Sequence, residues 1–259
     1  MRKFLLLAAV VVVLLSSPSL AQNEREVYIG FKGGISVPQL SSKQSNELSR
    51  DYKSRLAPNF GGFVEVGLKE KLAFQVELNF AGQGGKRDGI QPISIAPPGL
   101  PTLPEGFYYY GDFKNVAKLN YLEVPLMLKY KFGEQDKKRL YLNGGVYYGG
   151  LLTAKQVTSG NSTLYLDRDG KIPLLLPPAG TPLPPISFDA TTEIKSDLHS
   201  HNFGLTGGGG LEIPHGKNYI QIDARIAYGL TTLQKDTVRN GKSRTGNFVI
   251  SIGYAFGLK

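Results

Sequence analysis

The stretch Tyr121-Leu122-Glu123-Val124-Pro125-Leu126-Met127-Leu128-Lys129-Tyr130-Lys131-Phe132 alternates with period two. Leu122, Val124, Leu126, Leu128, Tyr130 and Phe132 fall on one face, and Tyr121, Glu123, Pro125, Met127, Lys129 and Lys131 on the other. Successive side chains of a β-strand point to opposite sides, so one surface of this segment is greasy and the other charged. Such a strand fits a nonpolar medium outside and a polar lining inside.

The same alternation recurs near Val27–Val37, Asn59–Leu68, Leu72–Gly82, Leu140–Leu152, Asn202–Ile213, Tyr219–Leu230 and Asn247–Leu258. Each is long enough for a tilted strand to cross the hydrocarbon, which takes about 9–11 residues. The connections alternate in length. Lys69–Lys71, Gly133–Arg139 and Pro214–Asn218 are short, whereas 38–58, 83–118, 153–201 and 231–246 are long. Outer-membrane barrels keep short turns in the periplasm and long loops outside. The expected fold is therefore all-β: an eight-stranded antiparallel up-and-down transmembrane β-barrel with short periplasmic turns and long extracellular loops.

Aromatic residues cluster near the strand ends on the apolar face. Phe60, Phe80, Tyr148, Phe203, Tyr228 and Phe248 mark an outer girdle; Tyr130, Phe132, Tyr254 and Phe256 mark a periplasmic one. Pro125 lacks a ladder donor, so a bulge is expected there.

Residues 1–21 have the layout of a cleaved secretory signal, with Arg2 and Lys3, an apolar core from Phe4 to Leu15, and Ser19-Leu20-Ala21. The barrel domain is then 22–259, exported to the outer membrane of a Gram-negative cell. No cysteine is present, so there is no disulfide framework and no thiolate chemistry. With Arg2 and Lys3 set aside, 28 Lys and Arg face 21 Asp and Glu, a formal +7. The basic residues lie in loops and turns rather than in one aromatic-laced stripe. The expected counter-charge is outer-membrane lipid or lipopolysaccharide, not nucleic acid.

The inward faces gather Lys32, Glu65, Glu77, Glu123, Lys129, Lys131, Glu212, Asp223 and Arg225. Isolated buried ions cost several kcal/mol each, so these must pair. An eight-stranded barrel is just wide enough for its own side chains, so the expected lumen is a polar plug rather than a path for solutes. Asp197, His199, Ser200 and His201 stand together at the end of the longest loop, the level at which a membrane hydrolase keeps its catalytic groups. Four adjacent polar residues are ordinarily just a loop end, and neither catalytic residues nor a metal site nor any cofactor is expected. The glycines Gly207 to Gly210 are not followed by a helix, which excludes a phosphate loop. Ile90–Pro104 and Ile172–Ile186 mix proline with apolar residues, and Phe107 to Tyr110 are four aromatics in a row. Stiff, apolar surface loops suit contact with other envelope proteins.

Leu122-Glu123-Val124-Pro125-Leu126-Met127-Leu128-Lys129-Tyr130 closely resembles the "YLEIPLLLKY" segment of the PorT-like outer-membrane β-barrel family. Gly30-Phe31-Lys32-Gly33-Gly34, Asn202-Phe203-Gly204-Leu205, Asp223-Ala224-Arg225 and Gly253-Tyr254-Ala255-Phe256 also look like that family's strands. The resemblance implies a porin-like barrel in a Bacteroidetes-type outer membrane, in a family named for a component linked to type IX protein secretion and gliding. The function expected overall is that of a non-enzymatic structural or interaction protein, accessory to secretion or surface binding. A small-solute channel is the first alternative and an outer-membrane hydrolase the second.

Overall fold

The computed structural model describes residues 26–44, 46–104, 106–134, 136–178 and 180–258. The expected signal segment lies outside the described residues. Eight long strands build the barrel: β1 Val27–Gln44, β2 Ala57–Lys69, β3 Leu72–Arg87, β4 Lys114–Phe132, β5 Arg139–Ser159, β6 His201–His215, β7 Asn218–Gly229 and β8 Lys242–Gly257. Each pairs antiparallel with its sequence neighbour, and β8 returns to β1 through pairs such as Tyr28↔Gly257 and Pro38↔Asn247, which closes the ring. Closure leaves no open sheet edge within the membrane, where water cannot satisfy backbone groups.

The alternation read from β4 holds in three dimensions. Leu128 is 53% exposed on the outside, while its neighbours Met127 and Lys129 are fully buried inside. Phe31, Ile35, Leu78, Leu142, Ile226 and Ile252 continue the exposed apolar belt around the ring. Exposed apolar area on this scale is stable only against lipid.

Pro125 is not bulged. Its register with Tyr147 on β5 is regular. On the β3 side, ladder pairing is interrupted between Val76↔Leu126 and Asn79↔Glu123, with the register unchanged. Proline there removes a donor without displacing the chain. The bulge lies higher, where Asn120↔Thr153 is followed by Tyr121↔Leu151 and Leu152 is left over on β5. That extra residue flips the inward phase, so Leu151 and Ala154 are both buried. Gly145 is required by close approach: a Cβ there would run into the Leu126 carbonyl.

The strands run well beyond the membrane-spanning stretches. β4 has 19 residues and β5 has 21, roughly twice what a tilted crossing needs. Their upper ends, with the end of β3, form a sheet standing above the membrane, and Ala190–Glu193 adds to β5 as an outermost strand. The outer connections shorten accordingly to 45–56, 88–113, 160–200 and 230–241. They fold over the mouth. The amide of His199 donates to Leu233 O at 2.8 Å, that of Lys235 to Asp197 O at 2.9 Å, and Asn46 Nδ2 to Arg239 O at 2.8 Å. Beneath them Leu119, Tyr121, Leu151, Ala154, Leu198 and Leu233 make a buried apolar cluster that seals the outer end of the lumen.

Candidate functional site

All nine inward charges expected from the sequence are buried in the lumen. A tenth, Arg139, joins them; its position at the end of a short turn hid it from pattern reading. The lumen then holds Glu65, Glu77, Glu123, Glu212 and Asp223 against Lys32, Lys129, Lys131, Arg139 and Arg225, which is neutral in formal charge.

Nearest the periplasm, Glu65 accepts from Lys129 Nζ at 2.7 Å, from Lys131 Nζ, and from the Tyr219 hydroxyl at 3.0 Å. Glu212 pairs with Lys129 at 2.6 Å, with Lys131 at 3.4 Å and with Arg139 at 3.1 Å. The Lys129 ammonium also sits 4.1 Å from the centre of the Tyr141 ring, which further offsets its desolvation. One strand row higher, Glu77 accepts from Lys32 Nζ at 2.6 Å, Arg225 Nη1 at 2.9 Å, Gln75 Nε2 at 2.6 Å and Asn79 Nδ2 at 2.7 Å. Asp223 pairs with Arg225 at 3.0 Å and accepts from the Tyr141 hydroxyl at 2.7 Å. These two clusters draw on strands β1 to β7, so a charge from one wall is met by a charge from another.

Glu123 stands apart. Among the described residues its one side-chain partner is Gln83, whose Nε2 donates at 2.9 Å. It borders a cavity of about 20 Å³ that Lys32, Asn79, Tyr147, Asp223, Arg225 and Asn247 also line. Such a volume has room for about one water, and the Asn79 and Asn247 side-chain oxygens, which lack protein partners, face buried space.

The aromatic residues of the two expected girdles all lie on the outer surface. Phe60 and Phe80 stack at 5.0 Å and Tyr148 meets Phe203 at 5.1 Å. Tyr130–Phe132 and Tyr254–Phe256 meet edge-on at 4.9 Å each. Tyr228 and Phe248 occupy the neighbouring strands at the outer level.

The residues Asp197, His199, Ser200 and His201 do not converge. His201 lies on the outer wall, its Nδ1 2.5 Å from the Tyr148 hydroxyl and its ring 5.7 Å from that of Tyr148. Asp197 accepts from Ser196 Oγ, and Ser200 and His199 serve the cap through their backbones. Among the described residues no group of three or more His, Cys, Asp and Glu is placed to hold a metal.

A family described as outer membrane protein beta-barrel domain matches residues 20–235. The chain belongs to this family. It is thereby an outer-membrane β-barrel protein, and its long loops face away from the periplasm as in other such barrels. Solved structures of similar fold include Neisserial surface protein A, at 11% identity over 90% of this chain and 98% of that one with a TM-score of 0.41. Others are OprG from Pseudomonas aeruginosa, at 12% identity over 89% and 96% with 0.40, and Ail, the attachment invasion locus protein of Yersinia pestis, at 16% over 89% and 99% with 0.37. No curated protein matches this chain.

For this outer-membrane barrel, sequence pattern found the lumen acids and bases but missed their tyrosine partners. Tyr219 and Tyr141 donate to carboxylates contributed by strands far away in sequence, and period two marks them only as inward.

Proposed function

We propose that this outer-membrane barrel works as a closed-lumen structural and interaction protein rather than as a solute pore. The observation that carries the reading is the lumen itself. Ten paired or hydrogen-bonded charges cross it, an apolar cluster seals its outer mouth, and the cavity beside Glu123, about 20 Å³, has room for about one water. Function then falls to the outside. The loop hairpin Ile90–Pro92/Tyr110–Asp112 is tied to the following loop by the Tyr110↔Tyr165 bridge. That tie leaves Ile95 72% and Phe107 69% exposed on a braced platform. Apolar groups held out on ordered loops are suited to other envelope proteins, and the basic residues to lipopolysaccharide. The resemblance of β4 to PorT-like barrels extends the reading to a role accessory to protein secretion or surface binding.

The test is crosslinking in intact cells, mild-detergent extraction and sizing of the tagged protein. A discrete larger assembly whose formation is lost in Ile95→Ser/Phe107→Ser supports the reading. A barrel that migrates alone under all crosslinking conditions overturns a protein partner.

A further inference from the structure

The sheet that stands above the membrane has an outer face dominated by lysine. Lys53 pairs directly across from Lys86, with backbone bonds of 2.7 and 2.9 Å in both directions. Lys118 pairs directly across from Lys155. Residues opposite one another in an antiparallel ladder project from the same face, and like charges so placed repel. The face thus holds two opposed lysine pairs, with Lys114 close by. Its acids are few: Glu193 meets Lys155 at 3.0 Å and Asp88 meets Lys114 at 4.0 Å. Among the described residues Lys53, Lys86 and Lys118 have no ion-pair partner. Gly84 lies opposite Lys118 on β3, so no side chain shields that ammonium from the β3 side.

Height decides the partner. Leu122 is the last apolar residue of the unbroken outward run on β4, and Lys118 stands four residues beyond it. At about 3.3 Å per residue and a tilt of about 40°, that is roughly 10 Å above the hydrocarbon edge. Lysine stems reach down several ångströms from there, which brings the ammonium groups to the level of lipid headgroups. Lysine binds phosphate as a compact point charge, and an anion between two opposed lysines removes the repulsion built into the ladder.

We propose that this face docks the phosphorylated headgroup of an outer-leaflet glycolipid, with Lys118 and Lys155 sharing one phosphate and Lys53 and Lys86 another. The proposal rests on the outer-membrane placement, and it stands or falls separately from the protein-partner reading.

The full chain, folded in detergent, is titrated with diphosphorylated lipid A and with the same lipid stripped of phosphate, and binding is read by native mass spectrometry. A basic residue near an anionic surface is worth about a fivefold gain in affinity. Lys118→Gln/Lys155→Gln therefore weakens binding of the phosphorylated lipid by roughly 25-fold, as does Lys53→Gln/Lys86→Gln. Lys69→Gln/Lys71→Gln, in the periplasmic turn, changes it by less than about twofold. Each variant keeps the folded gel mobility of an unheated barrel, and lipid-free stability changes little, because relief of the lysine repulsion offsets the loss of the exposed Lys155–Glu193 pair where Lys155 is replaced. A variant that loses folded mobility is replaced by the single Lys118→Gln, expected to lose about fivefold. Equal binding of the two lipids, or unaltered binding by the lysine variants, overturns the proposal.

Discussion

Replacing Glu77 by Gln tests whether the lumen is dry. Glu77 is fully buried and is the ion-pair partner of Lys32, whose side chain is 2% exposed. It also takes one of two ion pairs from Arg225, which keeps Asp223 at 3.0 Å. Glutamine matches the volume of glutamate, so no cavity opens. What changes is that the Lys32 ammonium loses its counter-charge in a water-poor interior. Removing one partner of a buried pair costs about 3–5 kcal/mol, a large share of the 5–15 kcal/mol typical of a folded domain. An internal control is the Lys155–Glu193 pair, similar in length at 3.0 Å but 47% and 61% exposed. Glu193→Gln is expected to cost at most about 1 kcal/mol. The assay is a urea titration of protein folded in lipid vesicles, followed by gel mobility and far-ultraviolet circular dichroism, since the chain has no tryptophan. The double change Lys32→Met/Glu77→Gln removes both charges and recovers much of the loss. If Glu77→Gln costs no more than Glu193→Gln, the lumen is hydrated and the account of a plugged barrel fails.

Two further outcomes follow from local geometry. Gly145→Ala drives a Cβ into the Leu126 carbonyl, whereas at Gly144 the nearest atom is Thr206 O at 3.9 Å; the first is expected to cost about 1–3 kcal/mol by overpacking and the second little, by the same urea titration. In the third loop the Asp167 carboxylate accepts the amides of Ile172 at 2.6 Å, Lys171 at 3.1 Å and Asp169 at 3.2 Å. Desolvation pushes its pKa up, but those amides more than offset it and hold the group below the usual aspartate range. A depressed folded pKa means the turn is favoured above the unfolded value and loosens as pH falls through the folded one. Amide exchange at Ile172 and Lys171 is thus expected to stay protected at pH 4 and to rise at lower pH, and Asp167→Ala to abolish the protection at neutral pH.

The barrel was legible because every outward residue from Leu122 to Phe132 is apolar and every inward one polar, proline or methionine. The sheet above the membrane was not, for a related reason. From Lys114 to Asn120 the outward positions carry lysine, valine and asparagine, and water bathes that face, so alternation loses its contrast although the ladder continues. The bulge was expected at Pro125 because proline cannot donate, yet a missing donor needs no extra residue. The bulge sits instead where Leu152 re-aims β5 from lumen lining to apolar cap. Arg139 escaped notice as a turn residue, and its partner Glu212 lies 73 positions on. The opposed lysines of the outer face are likewise invisible without register, since Lys53 and Lys86 belong to different loops by spacing alone.

The most direct test of the central claim is single-channel recording from correctly folded protein in planar bilayers. A lumen crossed by ten buried charges and sealed by the Leu119–Leu233 cluster predicts a flat trace with no conductance steps. Reproducible steps from protein that retains the folded gel mobility would contradict it and make the barrel a channel.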